Sequence, residues 1–358
     1  MGLSQLEYLY DFELKKSQII ERKFQITEKR LIIRSPRQSG TTSVIFNHLQ
    51  HYKKGSYLYI DFDDSRIDLK SIMAQIDHFI KEKGIHLLIL ENFDFNYKIP
   101  KCEEIIISTQ KDHEIEGFSK KDLFPLDFEE FLAFEKKITT IEQAFNTFAN
   151  LGTYPAVYTS NHPNKMKISQ NIINLIFRGD KELDIFKAVT KLQSTKTSQY
   201  KIFNILKQEL QISKDFYYKT IKEFQENRYI IFVDKYLKPK AQKKLYLLDF
   251  TAKNTLSFEK DFLKRFENIV FLEIYKRGFE TYYTDEIDIY LPDKNRAVFC
   301  IPFLPINLLK TKIIKRKKYF KKLGIKSVEI ITLGNEGVFS DDSIDYEIIP
   351  FWNWANSL

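Results

Sequence analysis

"RLIIRSPRQSGTTSVIFNHLQ", residues 30–50, decides how the first third of the chain is read. A short apolar strand runs into a tight turn and then into an amphipathic helix. In a phosphate-binding loop, Gly-x-x-x-x-Gly-Lys-Ser/Thr, the glycines let backbone N–H groups wrap the phosphates. The lysine reaches the β and γ oxygens, and the hydroxyl holds Mg²⁺. Those places here hold Ser35, Gly40, Thr41 and Thr42. The second glycine and the hydroxyl are kept; the first glycine and the lysine are not. Taken alone, the stretch also fits a generic strand–turn–helix.

Outward from the loop, "RLIIR" (30–34), "YLYIDF" (57–62), "HLLILE" (86–91) and "EIIIST" (104–109) are short apolar runs separated by turn residues. Helices are expected over 42–52 and 68–83. Continuous rather than alternating apolar runs mean strands buried on both faces, hence a mainly parallel sheet. From 127 to about 192 the pattern is helical, broken by the turn-rich "LGTYPAVYTSNHPNK" (151–165). Residues 197–210 and 213–227 read as two helices joined by a short turn. In the second, Tyr217, Thr220, Ile221 and Phe224 repeat at helical spacing behind the N-cap Ser213. "YIIFVDKYL" and "KKLYLLDF" follow as a hairpin, so 197–250 reads as a winged helix. The last hundred residues promise a helix over 260–277, strands at "ETYYTDEIDIYLP" and "RAVFCIPF", a very basic helix over 308–323 and a final strand "SVEIITL".

The 358 residues are 43% hydrophobic and 29% charged, the composition of soluble globular material in two or three domains. No apolar run approaches the roughly 18 residues that a membrane span needs. The acid-containing N-terminus is not expected to be a signal peptide, and Gly2 lacks the lipidation pattern. Cys102 and Cys300 cannot make a disulfide framework or a thiolate metal site on their own, so a reducing cytoplasm is expected. His48 and His51, three apart on a helix, read as surface residues rather than metal ligands. A net charge of +8 is a mild invitation to polyanions.

The surroundings of the loop add meaning. "HLLILENFD" places Glu91 and Asn92 where a metal-holding and a water-polarising acid would end a strand, and the next strand ends in Ser108 and Thr109, where a γ-phosphate sensor would sit. "LFPLDFEEFL" (123–132) follows. With "SPRQSGTTS", "YIDFDDSR", "LLILENFD" and "IIISTQ", this set resembles the bacterial and archaeal AAA+ ATPases with a "GPRQ-x-GKTT" loop. Those chains end in a winged helix and a restriction-endonuclease-like domain of unknown function. "NLGTYPAV", "TIKEFQENRYIIFVDKY", "LYLLDF" and "FENIVFLEIYKRGFETYY" extend the resemblance over nearly the whole chain. It implies an α/β protein: an AAA+-type P-loop parallel-sheet domain over 1–135, a helical lid-like region over 136–192, a winged helix over 193–252 and a restriction-endonuclease-like α/β domain over 253–358.

The departures from that pattern carry the functional expectation. Thr41 stands for the lysine, Glu91 for the metal-binding Asp, Asn92 for the catalytic Glu, and Gly117-Phe118 for a Gly-Arg pair. Arg37 swinging inward could compensate one loss. Losing the lysine and the polarising acid together removes the electrostatic preorganisation on which phosphoryl transfer depends. The expectation is a retained ATPase fold without turnover, with no required cofactor and only weak ATP/Mg²⁺ binding. In the last domain the resemblance supplies Glu267, Glu273, Glu286 and Asp288 as remnants of a nuclease site. The following strand reads "FCIPF" (299–303) instead of carrying an acid and a lysine, so no metal is expected, and Glu286 and Asp288 read as solvated hairpin residues.

Nucleic acid could be met in two places. The winged helix offers Lys214, Lys219, Lys222 and Arg228. "KTKIIKRKKYFKKLG" (310–324) carries Lys310, Lys312, Lys315, Arg316, Lys317, Lys318, Lys321 and Lys322 and no acid, with Ile313, Ile314, Phe320 and Leu323 as its docking stripe. The expected role is a binding or scaffold protein on DNA, held non-specifically by charge and away from membranes. An active ATPase remodelling DNA or a partner, and a protein–protein adaptor without nucleic acid, stay open as alternatives.

Overall fold

In the computed structural model, which describes residues 2–11, 22–135, 140–177 and 179–358, the chain divides into two units at Pro125/Leu126. That division places "LDFEEF" at the head of the second unit. The first four residues of the expected helical region, 136–139, lie outside the described residues.

The first unit runs α1 (Gly2–Tyr10), β1 (Arg30–Arg34), α2 (Thr41–Leu49), β2 (Tyr57–Asp61), α3 (Leu69–Met73), α4 (Ile76–Lys83), β3 (Leu87–Glu91), β4 (Glu104–Thr109) and β5 (Ser119–Asp122). Its five strands pair in the order β2-β3-β4-β1-β5, all parallel. The continuous apolar runs are explained by burial on both faces. Leu31, Ile33, Leu87 and Ile89 pack with Val44, Ile45 and Leu49 of α2. Ile32, Leu88 and Leu90 point the other way, to Leu6 of α1, Ile72 of α3 and Phe79 of α4. Every residue of β3 is buried, Glu91 included. Helix α1 had no counterpart in the sequence reading, because nine residues with a modest apolar face give little periodicity.

The second unit begins with helices α5 (Phe128–Phe134), α6 (Ile141–Leu151), α7 (Pro155–Thr159), α8 (Lys165–Ile176) and α9 (Asp180–Thr190). Next come β6 (Thr195–Thr197), α10 (Gln199–Glu209), α11 (Lys214–Glu226), β7 (Ile230–Val233) and β8 (Lys243–Leu247), whose strands form an antiparallel sheet in the order β6-β8-β7. Tyr217, Thr220, Ile221 and Phe224 form the buried face of α11, and Ser213 caps it, as the spacing predicts. After α12 (Ala252–Leu256) and α13 (Phe262–Tyr275) come β9 (Ile289–Leu291), β10 (Arg296–Cys300), α14 (Ile306–Ile314), α15 (Lys317–Leu323), β11 (Ser327–Thr332), β12 (Gly337–Asp341), β13 (Ile344–Pro350) and α16 (Phe351–Ser357). Their mixed sheet has the order β12-β13-β11-β10-β9. Strands β12 and β13 and helix α16 extend the chain beyond the strand expected to be last.

Every residue of α13 from Arg265 to Ile274 is buried. Three of its polar side chains, Glu267, Asn268 and Glu273, are hydrogen-bonded, while the Arg265 guanidinium lies over the Phe262 ring. Asn268 closes both backbone groups of Leu247, its Oδ1 accepting from Leu247 N and its Nδ2 donating to Leu247 O, each at 2.9 Å. Glu273 accepts from Phe128 N, at the first turn of α5, and from Arg277. Asp127 and Glu130 complete that helix start as a reciprocal capping box.

The basic segment is not one helix but two, α14 and α15, with the break at Lys315 and Arg316. Leu309, Ile313 and Phe320 are fully buried, whereas Ile314 is 38% exposed. The docking stripe expected from the sequence thus loses Ile314 and gains Leu309. Ile313→Ala should cost about 2–4 kcal/mol of stability, and Ile314→Ala should stay within about 0.5 kcal/mol. Urea unfolding followed by circular dichroism measures both; equal losses would contradict this register.

Candidate functional site

Parallel strands end together, so the polar residues that follow β1, β2, β3 and β4 gather at one edge of the sheet. Ser35 N donates to Thr109 O at 2.9 Å, which seats the loop against β4. Gly40 turns the chain into α2 with φ of 91°, a left-handed conformation in which a Cβ would be strained. The loop is laced internally. The hydroxyls of Ser35 and Thr41 meet at 2.7 Å, and Ser39 Oγ donates to Pro36 O. Arg22, nearly buried, holds it from outside by donating to Ser39 O at 2.7 Å and to Phe124 O at 2.8 Å. Nothing in the sequence singled out Arg22, because it precedes the motif.

Across the edge, Thr42 Oγ1 donates to Glu91 Oε1 at 2.6 Å, and Tyr59 OH to Glu91 Oε2 at 2.5 Å. Asn92 Nδ2 donates to Asp61 Oδ1 at 2.8 Å, while its backbone N–H takes Ser108 Oγ as acceptor at 3.1 Å. Ser35 and Thr41, then Thr42, Glu91 and Tyr59, then Asn92, Asp61 and Ser108 thus form three hydrogen-bonded groups at the ends of the parallel strands. Arg37 is directed elsewhere, onto Asp63 Oδ2 at 3.1 Å. The inward swing that could have replaced the lysine is not what the structure places there.

Of the four candidate acids of the second unit, Glu267, Glu286 and Asp288 line one cavity, and Glu273 stands apart. Glu267 on α13 meets Lys244 Nζ of β8 at 2.6 Å and accepts from Tyr246 OH at 2.9 Å. Lys244 Nζ also donates to Asp288 O at 3.2 Å, and the Asp288 carboxylate accepts from Cys300 N. Asp288 is therefore a held residue next to β9, not a solvated one. Glu286 pairs with Arg316 at 3.1 Å. Glu273 belongs elsewhere, six residues along α13 and committed to the start of α5. Burial raises the carboxyl of Glu267, with Lys244 opposing, and raises the Cys300 thiol well above its ordinary range. Lys244 immediately precedes "LYLLDF" in a stretch that reads from the sequence as a strand of the hairpin, so nothing there marked the lysine. Among the described residues, no three His, Cys, Asp or Glu side chains are grouped to hold a metal ion.

The basic run lacks acids in sequence but not in space. Lys317 reaches Asp341 at 2.7 Å and Asp342 at 2.5 Å, Lys321 reaches Asp342 at 2.9 Å, and Arg316 has Glu286. Lys310, Lys312, Lys315, Lys318 and Lys322 have no acid partner among the described residues, and all but Lys310 are exposed. On α11, Lys219 faces Glu223 and Lys222 faces Glu226, and Lys214 lies over the Tyr218 ring. Arg228 follows that helix in a left-handed conformation.

Glu91 yields a pH test. Burial raises its carboxyl above the ordinary value, against the opposing bonds from Thr42 and Tyr59. A carboxyl whose folded pKa is raised contributes stability below its unfolded pKa and loses it as pH climbs through the folded value. As pH rises above about 4, the wild type should therefore lose urea resistance relative to Glu91→Gln. A gap that stays constant with pH would contradict the assignment.

No protein-family model matches the chain. An uncharacterized protein of Methanocaldococcus jannaschii is 26% identical over an alignment of 407 positions that covers 95% of this chain and 92% of that protein. Among solved structures, one of Drosophila ORC bound to AT-rich DNA and Cdc6 matches at 12% identity over 61% of this chain and 80% of that chain, with a TM-score of 0.18, too low to bear on the fold.

Proposed function

We propose that this chain is a degenerate AAA+-type protein that binds rather than turns over. The first unit holds a phosphate-loop site without hydrolysis, and the second a winged helix and a nuclease-like domain that no longer cuts. Its work is to bind or scaffold, with nucleic acid held by charge. The observation that carries this reading is the Thr42–Glu91 bond at 2.6 Å. It joins the residue in the Mg²⁺-hydroxyl place to the acid ending the strand two positions across the sheet. Beside it, the side chain in the lysine place is a threonine hydroxyl turned onto Ser35.

An ion pair between Arg37 and Asp63 argues against a substitute cation and so against the active-ATPase alternative. The adaptor reading gains from the pairing of Arg316, Lys317 and Lys321 with acids, which leaves five of the eight cations for a polyanion.

Mg-ATP should bind weakly in titration calorimetry and show negligible turnover, because no point charge reaches the β and γ oxygens. Micromolar binding with turnover abolished by Thr42→Ala would sink the proposal. Plasmid should survive Mg²⁺ or Mn²⁺, and cleavage lost in Asp288→Ala would contradict that.

Duplex DNA should bind weakly at low salt and without sequence preference. Each phosphate neutralised steepens the slope of log K against log salt by roughly 0.9. The combined change of Lys315, Lys318 and Lys322 to Glu should weaken binding uniformly and flatten that slope. Those three lack acid partners, so the variant should stay folded. Absence of duplex binding by the wild type in fluorescence anisotropy would hand the role to the adaptor reading.

A further inference from the structure

A cavity of about 550 Å³ opens in the second unit between α13, β10 and α14. Lys244, Glu267 and Asp288 line it, together with Lys264, Lys312 and Phe303. Lys244 is nearly buried, and two of its three N–H donors are used, on Glu267 and on the Asp288 carbonyl. The other lysines bring charge that nearby acids do not cancel. Lys264 Nζ donates to the neutral Ser194 carbonyl at 3.0 Å, and Lys312 has no acid partner among the described residues. Lys196, also on the wall, shares its one acid, Asp285, with Lys235. Phe303 is 66% exposed, its ring 5.3 Å from that of Phe262. A flat apolar face therefore stands next to a cationic rim.

We propose that this cavity holds one nucleotide, its phosphate on Lys264 and Lys312 and its base against Phe303, without a metal ion. The volume suits a small molecule and is too small for a duplex. Lysines serve phosphate as point charges, and an exposed aromatic ring stacks any base. The Lys244 ammonium counters the Glu267 carboxylate from within the protein, and the Asp288 carboxylate is held by Cys300 N, so Lys264 and Lys312 are left to meet the phosphate. The nucleotide is either free or the unpaired end of a strand. The proposal rests on the reading of the second unit as nucleic-acid-binding and narrows it to a pocket.

The test uses the full chain in EDTA at low salt, with fluorescein-labelled dT8 followed by anisotropy and unlabelled dTMP as competitor. The wild type should bind dT8, and Phe303→Ala and Lys264→Gln should each weaken that binding at least fivefold. Both variants should keep their affinity for duplex DNA, which the Lys315–Lys318–Lys322 face would hold. Competition by dTMP identifies a free-nucleotide pocket; binding of dT8 without such competition identifies a strand end. Variants that bind dT8 like the wild type overturn the pocket and leave the charged face standing. So does a wild type that binds duplex but neither dT8 nor dTMP. A wild type that binds none of the three overturns both.

Discussion

Helix α13 is buried on every side for ten successive residues, and a polar side chain so placed costs stability unless it finds a partner. The second unit is arranged around meeting that demand. Asn268 closes both backbone groups of Leu247 and takes a further hydrogen bond from Gln193. Glu267 draws in Lys244, and Tyr246 both donates to Glu267 and stacks its ring on Phe271 at 3.8 Å between centroids. Glu273 caps α5 and orients Arg277, whose other nitrogen reaches the carbonyl of Ala355 in α16. One helix thereby fixes the three-stranded sheet, the first helices and the last.

These ties explain what could be read in advance. The parallel strands of the first unit were legible because burial on both faces writes an unbroken apolar run, and β1, β2, β3 and β4 lie within the runs quoted. Helix α11 was legible for the opposite reason: only one of its faces is buried, so its pattern has a period. Strands β12 and β13 were not. In β13 buried and exposed residues alternate, "IDYEIIP", yet the segment follows a Gly/Asn/Asp-rich stretch that reads as loop. The pairing of β13 with β11 is a long-range fact.

The candidate sites divide along the same line. The loop and the strand-end residues gathered because register is local information once the sheet is parallel. Of the candidate acids of the second unit, Glu273 did not join the other three, because it lies six positions from Glu267 on a helix and is committed to the start of α5. The cationic run misled most. Charge density along a chain says nothing about acids that a distant hairpin delivers, and Asp341 and Asp342 arrive on the β12–β13 turn. The hydrogen bonds of Asp342 with Lys317 and Lys321 hold its carboxyl down to about 2.

The reach of Lys244 to the Glu267 carboxylate of α13 and to the Asp288 carbonyl just before β9 also bears on modularity. A cut between residues 252 and 253, the seam that the sequence suggests, would strip Lys244 of its Glu267 partner and leave Glu267 and Asn268 as orphaned groups on an apolar helix. Lifting out the helix-and-wing block as a portable reader, or exchanging the last domain beneath it, breaks the Lys244–Glu267 pair and both Asn268–Leu247 bonds. The two behave as one heritable part.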